Sequence, residues 1–512
     1  MTTNIRALWN RLKNLLKPDI IGWLLVTLGI ALRLRQYIAN RSFWHDEANL
    51  ALNLVNRTFS SLTQPLDYDQ GAPLGFLFIE KLFITIMGNK DYILRLFPLL
   101  SGLLATYLIY RIAREFFGAG GLFAVLLLSI SWPLIYYSSE LKQYSSDAMF
   151  VLLLVYLAFR CLEENAQLKD FLLLGIVGFI SIWLSHPSAF VLAGIGLVIF
   201  FEKLLHKRDK SLLWTMGMGV AWAASFGATY LVSLRYLVAD SSLQSYWRNA
   251  FMPRPILHHL DWLVQTYLSL LGSINSGLDF QFISIVCSLL IVIGMISLLI
   301  RNWKILFITS LPFFLALVAA ALQKYPLKGR FVLFLVPLTI LLMAEGIGQI
   351  YTLINKWNRG LALTVYWIII LTVIWIPANV VSSNFLSPPL GDDIKPVMNY
   401  VEQHRTQKDI VYVYHGARPS FNYYAPFYRL DKGNVISGLD LDNAPALKQF
   451  YSQVDQLKGN DRVWVIFSHI VACGGCSGDM ETFYVQYLNQ FGKVEDQVKA
   501  QGADVYLYNL DQ

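Results

Sequence analysis

Long apolar stretches recur along the first three quarters of the chain, and they constrain the possible folds more than any other feature. A helix needs about 17–25 mostly apolar residues to cross a bilayer. Only 15% of the 512 residues are charged, whereas a soluble globular protein carries roughly 25%. The sequence therefore predicts a polytopic α-helical membrane protein with about eleven spans, near residues 20–37, 92–110, 121–137, 148–161, 171–186, 190–205, 212–234, 282–300, 305–322, 331–350 and 361–377.

Basic residues mark alternate sides of these stretches and predict their orientation. Four basic residues precede the first span, and further basic residues follow the second, sixth, eighth and tenth spans. Because cytoplasmic loops carry the excess of Lys and Arg, we expect the N-terminus inside. The loops 38–91 and 235–281 and the C-terminus are then outside. The net charge of +7 follows from this topology and does not indicate nucleic-acid binding.

The composition changes after residue 381, so we expect a transmembrane domain at 1–381 and a soluble extracytoplasmic domain at 382–512. Apolar runs predict strands at 410–414, 463–467 and 505–507. Amphipathic runs predict helices at 394–403, 444–457 and 480–491, which together indicate a small α/β domain. Cys473 and Cys476 lie in this domain, and an extracytoplasmic location favours a local disulfide. A redox role is the alternative.

Two adjacent carboxylates, Asp46 and Glu47, follow the first span on its outer side. Carboxylates at a membrane edge are costly to desolvate unless they do chemistry or pair with cations. Several cations also lie outside, against the usual charge bias: Arg95, Lys142, Lys328 and Arg330. Together these groups indicate a site for an anion such as a phosphate. The alternatives are a solvated acidic loop and cations that each reach the lipid headgroups separately.

An ordered series of short motifs resembles the N-terminal half of the GT-C membrane glycosyltransferases. The series is Phe-Trp-His-Asp-Glu-Ala at 43–48, Gln-Gly-Ala-Pro-Leu at 70–74, Leu-Arg-Leu-Phe-Pro at 94–98, and Glu-Leu-Lys-Gln-Tyr at 140–144. It is most similar to the protein O-mannosyltransferase and lipid A aminoarabinose transferase group. Two positions depart from the pattern: Lys142 stands where Arg is frequent, and Asn49 stands where the aminoarabinose transferases have Arg.

The resemblance implies a glycosyltransferase that moves a hexosyl or pentosyl group from a polyprenyl-phosphate donor to an acceptor at the outer face, with inversion. Asp46 is then the catalytic base, because a nucleophilic hydroxyl needs a proton acceptor. Glu47 positions Asp46 or a substrate hydroxyl, and Arg95 pairs with one of the two carboxylates. The expected donor-phosphate residues are Lys142, Tyr144, Lys328 and Arg330.

Four other residues are candidates for substrate contacts: His45, Glu140, Asp147 and His186. No cofactor is required by this chemistry. A divalent metal is possible, but the histidines lack the close spacing typical of metal ligands. The acceptor is left open as a protein, a lipid or a glycan, and the C-terminal domain is expected to aid acceptor recognition or stability without a catalytic group.

A lipid or sugar transporter, or flippase, is the alternative function. A transporter often has internal repeats and broken spans at matching positions, and no repeat is visible here. Two formal glycosylation sequons, at 40–42 and 56–58, flank the acidic pair, where a glycan would obstruct the site. This favours a bacterial inner membrane, with the catalytic face periplasmic or extracellular.

Overall fold

The structure is a computed structural model that describes residues 18–206, 209–255, 258–275, 281–439, 444–472 and 478–511. The basic residues before the first span and the Cys473–Cys476 pair lie outside these ranges. The disulfide therefore stays a prediction.

The first three quarters of the described chain are almost entirely helical, as predicted. Within the described ranges, nine helices are long and apolar enough to cross a membrane: Pro18–Ile38, Leu96–Phe116, Tyr144–Leu162, Ser188–Leu205, Lys210–Ala239, Phe282–Arg301, Trp303–Ala321, Gly329–Asn355 and Arg359–Leu386. A tenth span arises if the pair Gly118–Ile130 and Trp132–Ser139, bent by 57°, crosses as one unit.

The predicted count of about eleven spans is therefore corrected to nine or ten by length and composition. The helix Leu168–Leu184, which covers the stretch predicted at 171–186, is not among these helices because it has 17 residues, at the lower end of the range for a span. This helix ends shortly before Pro187, because the residue preceding a proline disfavours the helical conformation. The bend in the pair at 118–139 comes at Ser131, just before Trp132-Pro133, where the proline breaks the regular helix.

Both long loops that are predicted to lie outside contain helices. The first, predicted at 38–91, contains the helices His45–Asn56 and Leu74–Met87. The second, predicted at 235–281, is shortened because the helix Lys210–Ala239 extends into it, and it also contains Leu260–Asn275. Much of each of these two segments is therefore helical.

The C-terminal domain contains a five-stranded sheet. Its strands are β1 Ile410–Val413, β2 Asn434–Ser437, β3 Val463–Ser468, β4 Lys493–Ala500 and β5 Ala503–Asn509. The strand order is β2-β1-β3-β5-β4. β1 runs parallel to both β2 and β3, whereas β5 runs antiparallel to β3 and β4. The domain also contains the helices Ile394–His404, Arg418–Tyr424, Ala444–Asp455 and Met480–Leu488. The predicted α/β character is confirmed.

The C-terminal domain and the first of these long loops share one buried hydrophobic cluster. Phe43, Leu50 and Phe76 from the loop belong to the same cluster as Val397 and Tyr424 from the domain. Burial of apolar surface stabilises such a contact by about 25 cal/mol per Å². The C-terminal domain is therefore docked on the segment that carries the acidic pair.

Candidate active site

Asp46 lies in the first turn of the helix His45–Asn56, and its carboxylate accepts a hydrogen bond from the guanidinium of Arg330. Arg330 comes from the start of the long helical segment Gly329–Asn355. Three aromatic rings surround its guanidinium carbon, at 5.5 Å for Trp44, 5.6 Å for Tyr144 and 5.3 Å for Trp247. The quadrupoles of these rings attract the cation and hold it in place.

A second cation, Lys142, acts on Asp46 from the link that precedes the helix Tyr144–Leu162. The Lys142 ammonium is almost fully buried and donates a 2.7 Å hydrogen bond to Oε1 of Gln70. Burial alone would raise the pKa of Asp46, but the charges of Lys142 and Arg330 hold it below its usual range. Burial, aided by the charge of Arg330, lowers the pKa of Lys142. The site thus combines one ionised carboxylate with two cations.

Glu47 is fully buried beside this cluster, and Arg95 pairs with it rather than with Asp46. Arg95 Nε and Nη2 donate to the two Glu47 carboxylate oxygens at 2.8 and 2.7 Å. The backbone N–H of Leu141 donates to the same carboxylate at 2.7 Å. Burial opposes ionisation, but the Arg95 and Arg41 charges hold the pKa of Glu47 below its usual range. A bidentate pair of this kind fixes geometry as well as charge.

Arg41 extends this network to Glu140. Its guanidinium lies 3.6 Å from the Glu47 carboxylate and 3.3 Å from that of Glu140. Burial, and then the charge of Glu47, raise the pKa of Glu140 to about 7. Glu140 Oε1 is buried and makes no hydrogen bond in the structure. The site therefore contains a carboxyl group that titrates near neutrality.

The remaining predicted residues lie around the Asp46 cluster and differ in how deeply they are buried. Tyr144 is buried and packs edge-on against Tyr137 and Phe331, so it is part of the site wall. Asp147 lies one helical turn beyond Tyr144, and Ser185 is beside its carboxyl group.

His186 and Lys328 differ sharply in burial. Burial lowers the pKa of His186, in the link between two helices, to about 4, so its imidazole is neutral. Lys328 is exposed, two residues before Arg330. The structure therefore does not bring Lys328 into the buried cluster.

His45 connects the site to the C-terminal domain. Its Nδ1 lies 3.3 Å from the carbonyl oxygen of Gly416, and its ring centroid lies 4.9 Å from that of His469. Burial, and then the neighbouring His469, lower the pKa of His45. One side of the acidic pair is thus covered by the C-terminal domain.

Sequence reasoning missed four of the residues that build this site: Arg41, Gln70, Trp247 and His469. Arg41 and Gln70 stand inside or beside the quoted motifs, so a search for partners of the acidic pair could have found them. Trp247 and His469 come from distant segments, and no local pattern connects them with Asp46.

No arrangement of ligands for a metal is present in the part of the chain that the structure describes. Within those residues, no group of three or more His, Cys, Asp or Glu side chains could hold a metal ion. Among the sequence candidates, His45 has a second histidine nearby, His469, whose Nδ1 bonds to Asp392. Two histidines and one carboxylate already engaged in this way do not make a ligand set.

The long helices and the C-terminal sheet domain have the GT-C fold, and the resemblance expected from the sequence is confirmed. The family model "Dolichyl-phosphate-mannose-protein mannosyltransferase" matches residues 71–239. A comparison with curated proteins finds no significant match.

Among solved structures, the chain is similar to ArnT from Cupriavidus metallidurans. It matches the apo state with a TM-score of 0.51 and 13% identity, over 95% of this chain and 98% of that chain. It matches ArnT bound to undecaprenyl phosphate with a TM-score of 0.50 and 13% identity over the same shares of the two chains. The Archaeoglobus fulgidus oligosaccharyltransferase in complex with Zn and sulfate matches with a TM-score of 0.50 and 12% identity, over 86% of this chain and 67% of that chain.

Proposed function

We propose that this protein transfers a sugar from a polyprenyl-phosphate donor to a hydroxyl-bearing acceptor at the outer face of a membrane. The observation that carries the proposal is the cluster of Asp46, Arg330 and Lys142. Three distant parts of the chain bring one ionised carboxylate, the partly buried Arg330 and the buried Lys142 to a single place. The likeness to an ArnT structure that is bound to undecaprenyl phosphate supports a lipid phosphate as the anion.

The donor phosphate binds at Arg330 and Lys142 in this proposal. Arg330 is held among three aromatic rings and is ion-paired with Asp46, and Lys142 is hydrogen-bonded to the neutral Gln70. Arg330 can therefore exchange one anionic partner for another, and Lys142 can exchange a bond to a neutral amide for a stronger, charge-assisted bond to a phosphate. Tyr144 lines the same wall, and the exposed Lys328 attracts the phosphate as it approaches.

Asp46 is the proposed base. The hydroxyl of the acceptor gives its proton to the Asp46 carboxylate while its oxygen forms a bond to the anomeric carbon. The bond between that carbon and the phosphate oxygen breaks, and the lipid phosphate leaves with the electron pair. Arg330 and Lys142 stabilise the charge that develops on this leaving group, a contribution of about 2.7–4 kcal/mol for one well-placed donor. A single displacement of this kind inverts the configuration at the anomeric carbon.

The resting ion pair also regulates the base. An Asp46 carboxylate paired with Arg330 is a weak base, because its pKa is held low. A phosphate that takes over Arg330 removes this partner and adds a negative charge nearby, and both changes raise the pKa of Asp46. The base is thus activated only when the donor is present.

Glu47, Arg95 and Arg41 are proposed as positioning residues. Glu47 has no exposed surface, and its oxygens are engaged by Arg95, Arg41 and the Leu141 N–H. Their network fixes the start of the helix that carries Asp46 against the segment that carries Lys142. This arrangement supports a role in holding the base and the phosphate cation in register.

The sugar of the donor is proposed to bind near Asp147. Among the described residues, three buried polar atoms of this region make no hydrogen bond: Asp147 Oδ1, His186 Nε2 and Ser188 Oγ. Unsatisfied buried polar groups are rare in proteins and call for an explanation. Sugar hydroxyls would satisfy them, and Glu140 and His45 are further candidates on the outer side.

The proposed location is a bacterial inner membrane, with Asp46, Lys142 and the C-terminal domain on the periplasmic or extracellular side. The basic residues at the opposite ends of the helices support this orientation.

Mass analysis of surface glycans, lipids and proteins from a strain that lacks this gene tests the function. We expect one sugar to be missing from one acceptor class, and purified protein to restore it from a polyprenyl-phosphate-linked donor. If the purified protein only moves the lipid across vesicles, without transfer, it is a flippase and the proposal is wrong.

A further inference from the structure

The carboxyl ends of two parallel strands of the C-terminal sheet face the acidic pair. Strand β1 ends at Val413 and is followed by the turn that contains Gly416, and β3 ends at Ser468 and is followed by His469. Because β1 and β3 are parallel neighbours, these turns share one edge of the sheet. This edge is where open α/β sheets bind their ligands.

His469 has three unusual features at this edge. Its backbone adopts a positive φ of 51°, which is uncommon for a residue other than glycine. Its Nδ1 lies 2.9 Å from Oδ2 of Asp392, so a carboxylate orients the ring. Its ring centroid lies 4.9 Å from that of His45 and 6.0 Å from that of Trp44. Backbone strain of this kind clusters at functional sites.

Gly416 lets the two turns and the acidic pair approach one another closely. A Cβ added at Gly416 would lie 2.7 Å from the backbone oxygen of His469 and 2.6 Å from the Tyr414 ring. The carbonyl oxygen of Gly416 also contacts Nδ1 of His45. The sheet edge is thus packed directly onto the residue that precedes Asp46.

We propose that His469, oriented by Asp392, contacts the acceptor, so that the C-terminal domain supplies the acceptor side of the active site. The inference rests on the proposed function. It makes the expectation that this domain aids acceptor recognition specific to one residue. The ring's Nδ1 bonds to Asp392, which leaves Nε2 to form a hydrogen bond with an acceptor hydroxyl.

The domains that carry these groups indicate the sides from which the donor and the acceptor approach the site. The cations proposed for the donor phosphate, Arg330 and Lys142, belong to the membrane domain, whereas His469 belongs to the soluble domain. The His469 side chain keeps 33% of its surface exposed, and the Asp392 side chain keeps 25%. An acceptor that enters from the aqueous side can therefore reach His469, while the buried cations face the donor.

Two substitutions test the two ring nitrogens of His469 separately. His469→Asn retains an amide near the position of Nδ1, can keep the bond to Asp392, and tolerates positive φ. His469→Gln places its amide near the position of Nε2. The exposed His404 of the same domain provides a matched control, His404→Ala.

The experiment uses full-length protein, donor lipid from the producing strain, and membranes of the deletion strain as the source of unmodified acceptor. We expect His469→Asn to raise the membrane concentration needed for half-maximal transfer by about five- to tenfold, the effect of one lost hydrogen bond. His469→Gln should recover part of this loss. Binding of undecaprenyl phosphate should be unchanged in both variants, and His404→Ala should match wild type.

An unchanged dependence on acceptor membranes in His469→Asn overturns the inference, provided that the wild-type protein transfers sugar. Weaker binding of undecaprenyl phosphate, in parallel with the loss of transfer, also overturns it, because His469 would then act on the donor side or on folding. If the wild-type protein transfers no sugar from any polyprenyl-phosphate donor, the proposed function itself fails.

Discussion

Asp46 and Arg330 form an ion pair although they lie 284 residues apart in the chain. The carboxylate therefore occupies the guanidinium that the donor phosphate is proposed to bind. In this proposal Arg330 binds Asp46 when the donor is absent and the phosphate when the donor is present. Removing Asp46 should therefore strengthen donor binding, whereas removing Arg330 should weaken it.

Replacing Asp46 by Asn should abolish transfer and strengthen donor binding. The base is lost, but Arg330 is released from its competing carboxylate. We expect undecaprenyl phosphate to bind about tenfold more tightly, because hydrogen bonds to charged groups contribute about 1.5–3 kcal/mol. Equilibrium binding and transfer assays on purified protein measure both effects.

Asp69→Asn is the matched control for this prediction. Asp69 is an exposed acid in the same loop with a positive φ of 50°, a conformation that Asn tolerates. It should leave binding and transfer unchanged. Weaker donor binding by Asp46→Asn would contradict the competition between the two anions.

Replacing either phosphate cation should weaken donor binding. Arg330→Ala and Lys142→Met each remove one counter-charge, and we expect the dissociation constant for undecaprenyl phosphate to rise by about tenfold or more. Lys324 is exposed in the segment that precedes Arg330, so Lys324→Met is the control for a general loss of positive charge. Normal donor affinity in both Arg330→Ala and Lys142→Met would place the anion site elsewhere.

Glu140 should make the protein less stable as the pH rises through neutrality. Burial, and then Glu47, raise its pKa to about 7, whereas an unfolded glutamate has a pKa of about 4.3. The folded protein therefore holds this proton more tightly than the unfolded chain. The stability this provides is present at low pH and is lost as the pH rises through about 7.

Thermal unfolding of wild type and Glu140→Gln, from about pH 5 to about pH 8, measures this effect. The difference in midpoint temperature should shift in favour of the glutamine variant as the pH rises. Parallel curves for the two proteins would show that Glu140 has no raised pKa.

Tyr424 should couple the C-terminal domain to the acidic pair. Its hydroxyl accepts a 2.9 Å hydrogen bond from the Phe43 N–H and donates a 2.8 Å bond to Asp91. Tyr424→Phe leaves the buried Phe43 N–H without a partner and removes one of the two hydrogen bonds to Asp91 Oδ2, the other coming from Lys395, and we expect a loss of about 1–3 kcal/mol in stability. We also expect slower turnover with unchanged donor binding, because the segment before Asp46 is held less firmly.

Tyr428→Phe removes a hydroxyl from a nearby half-buried tyrosine of the same domain and is the control. Thermal unfolding and turnover, measured side by side, compare the two variants. Equal behaviour of both variants would contradict a specific role for the Tyr424 hydroxyl.

The sequence was sufficient to predict the class of fold, because burial in a membrane imposes long apolar helices. It also predicted strands β1, β3 and β5, whose residues are apolar and almost entirely buried. Strand β4 was missed because it lies at an edge, and its residues alternate between exposed and half-buried positions, with charged side chains such as Lys493 and Lys499 outward. Edge strands commonly carry such charges, which hide the apolar pattern.

The candidate site could be predicted only where its residues stand close in sequence or break a charge rule. Asp46 and Arg330 were found because each is unusual at an outer membrane edge. Tertiary packing makes Glu47 the partner of Arg95 and brings His469 next to His45. Neither contact carries a local sequence signal, so neither could be derived without the structure.

The contacts around Asp46 also fix an order of events during synthesis. The segment that carries Asp46 emerges early from the ribosome, yet Ser42 bonds to Asp393, 351 residues later, and His45 meets His469. A nascent chain can therefore pair Glu47 with Arg95 early, but the contacts of Ser42 and His45 stay unmade until the C-terminal domain has been synthesised and folded. The proposed centre is therefore completed only after that domain has folded.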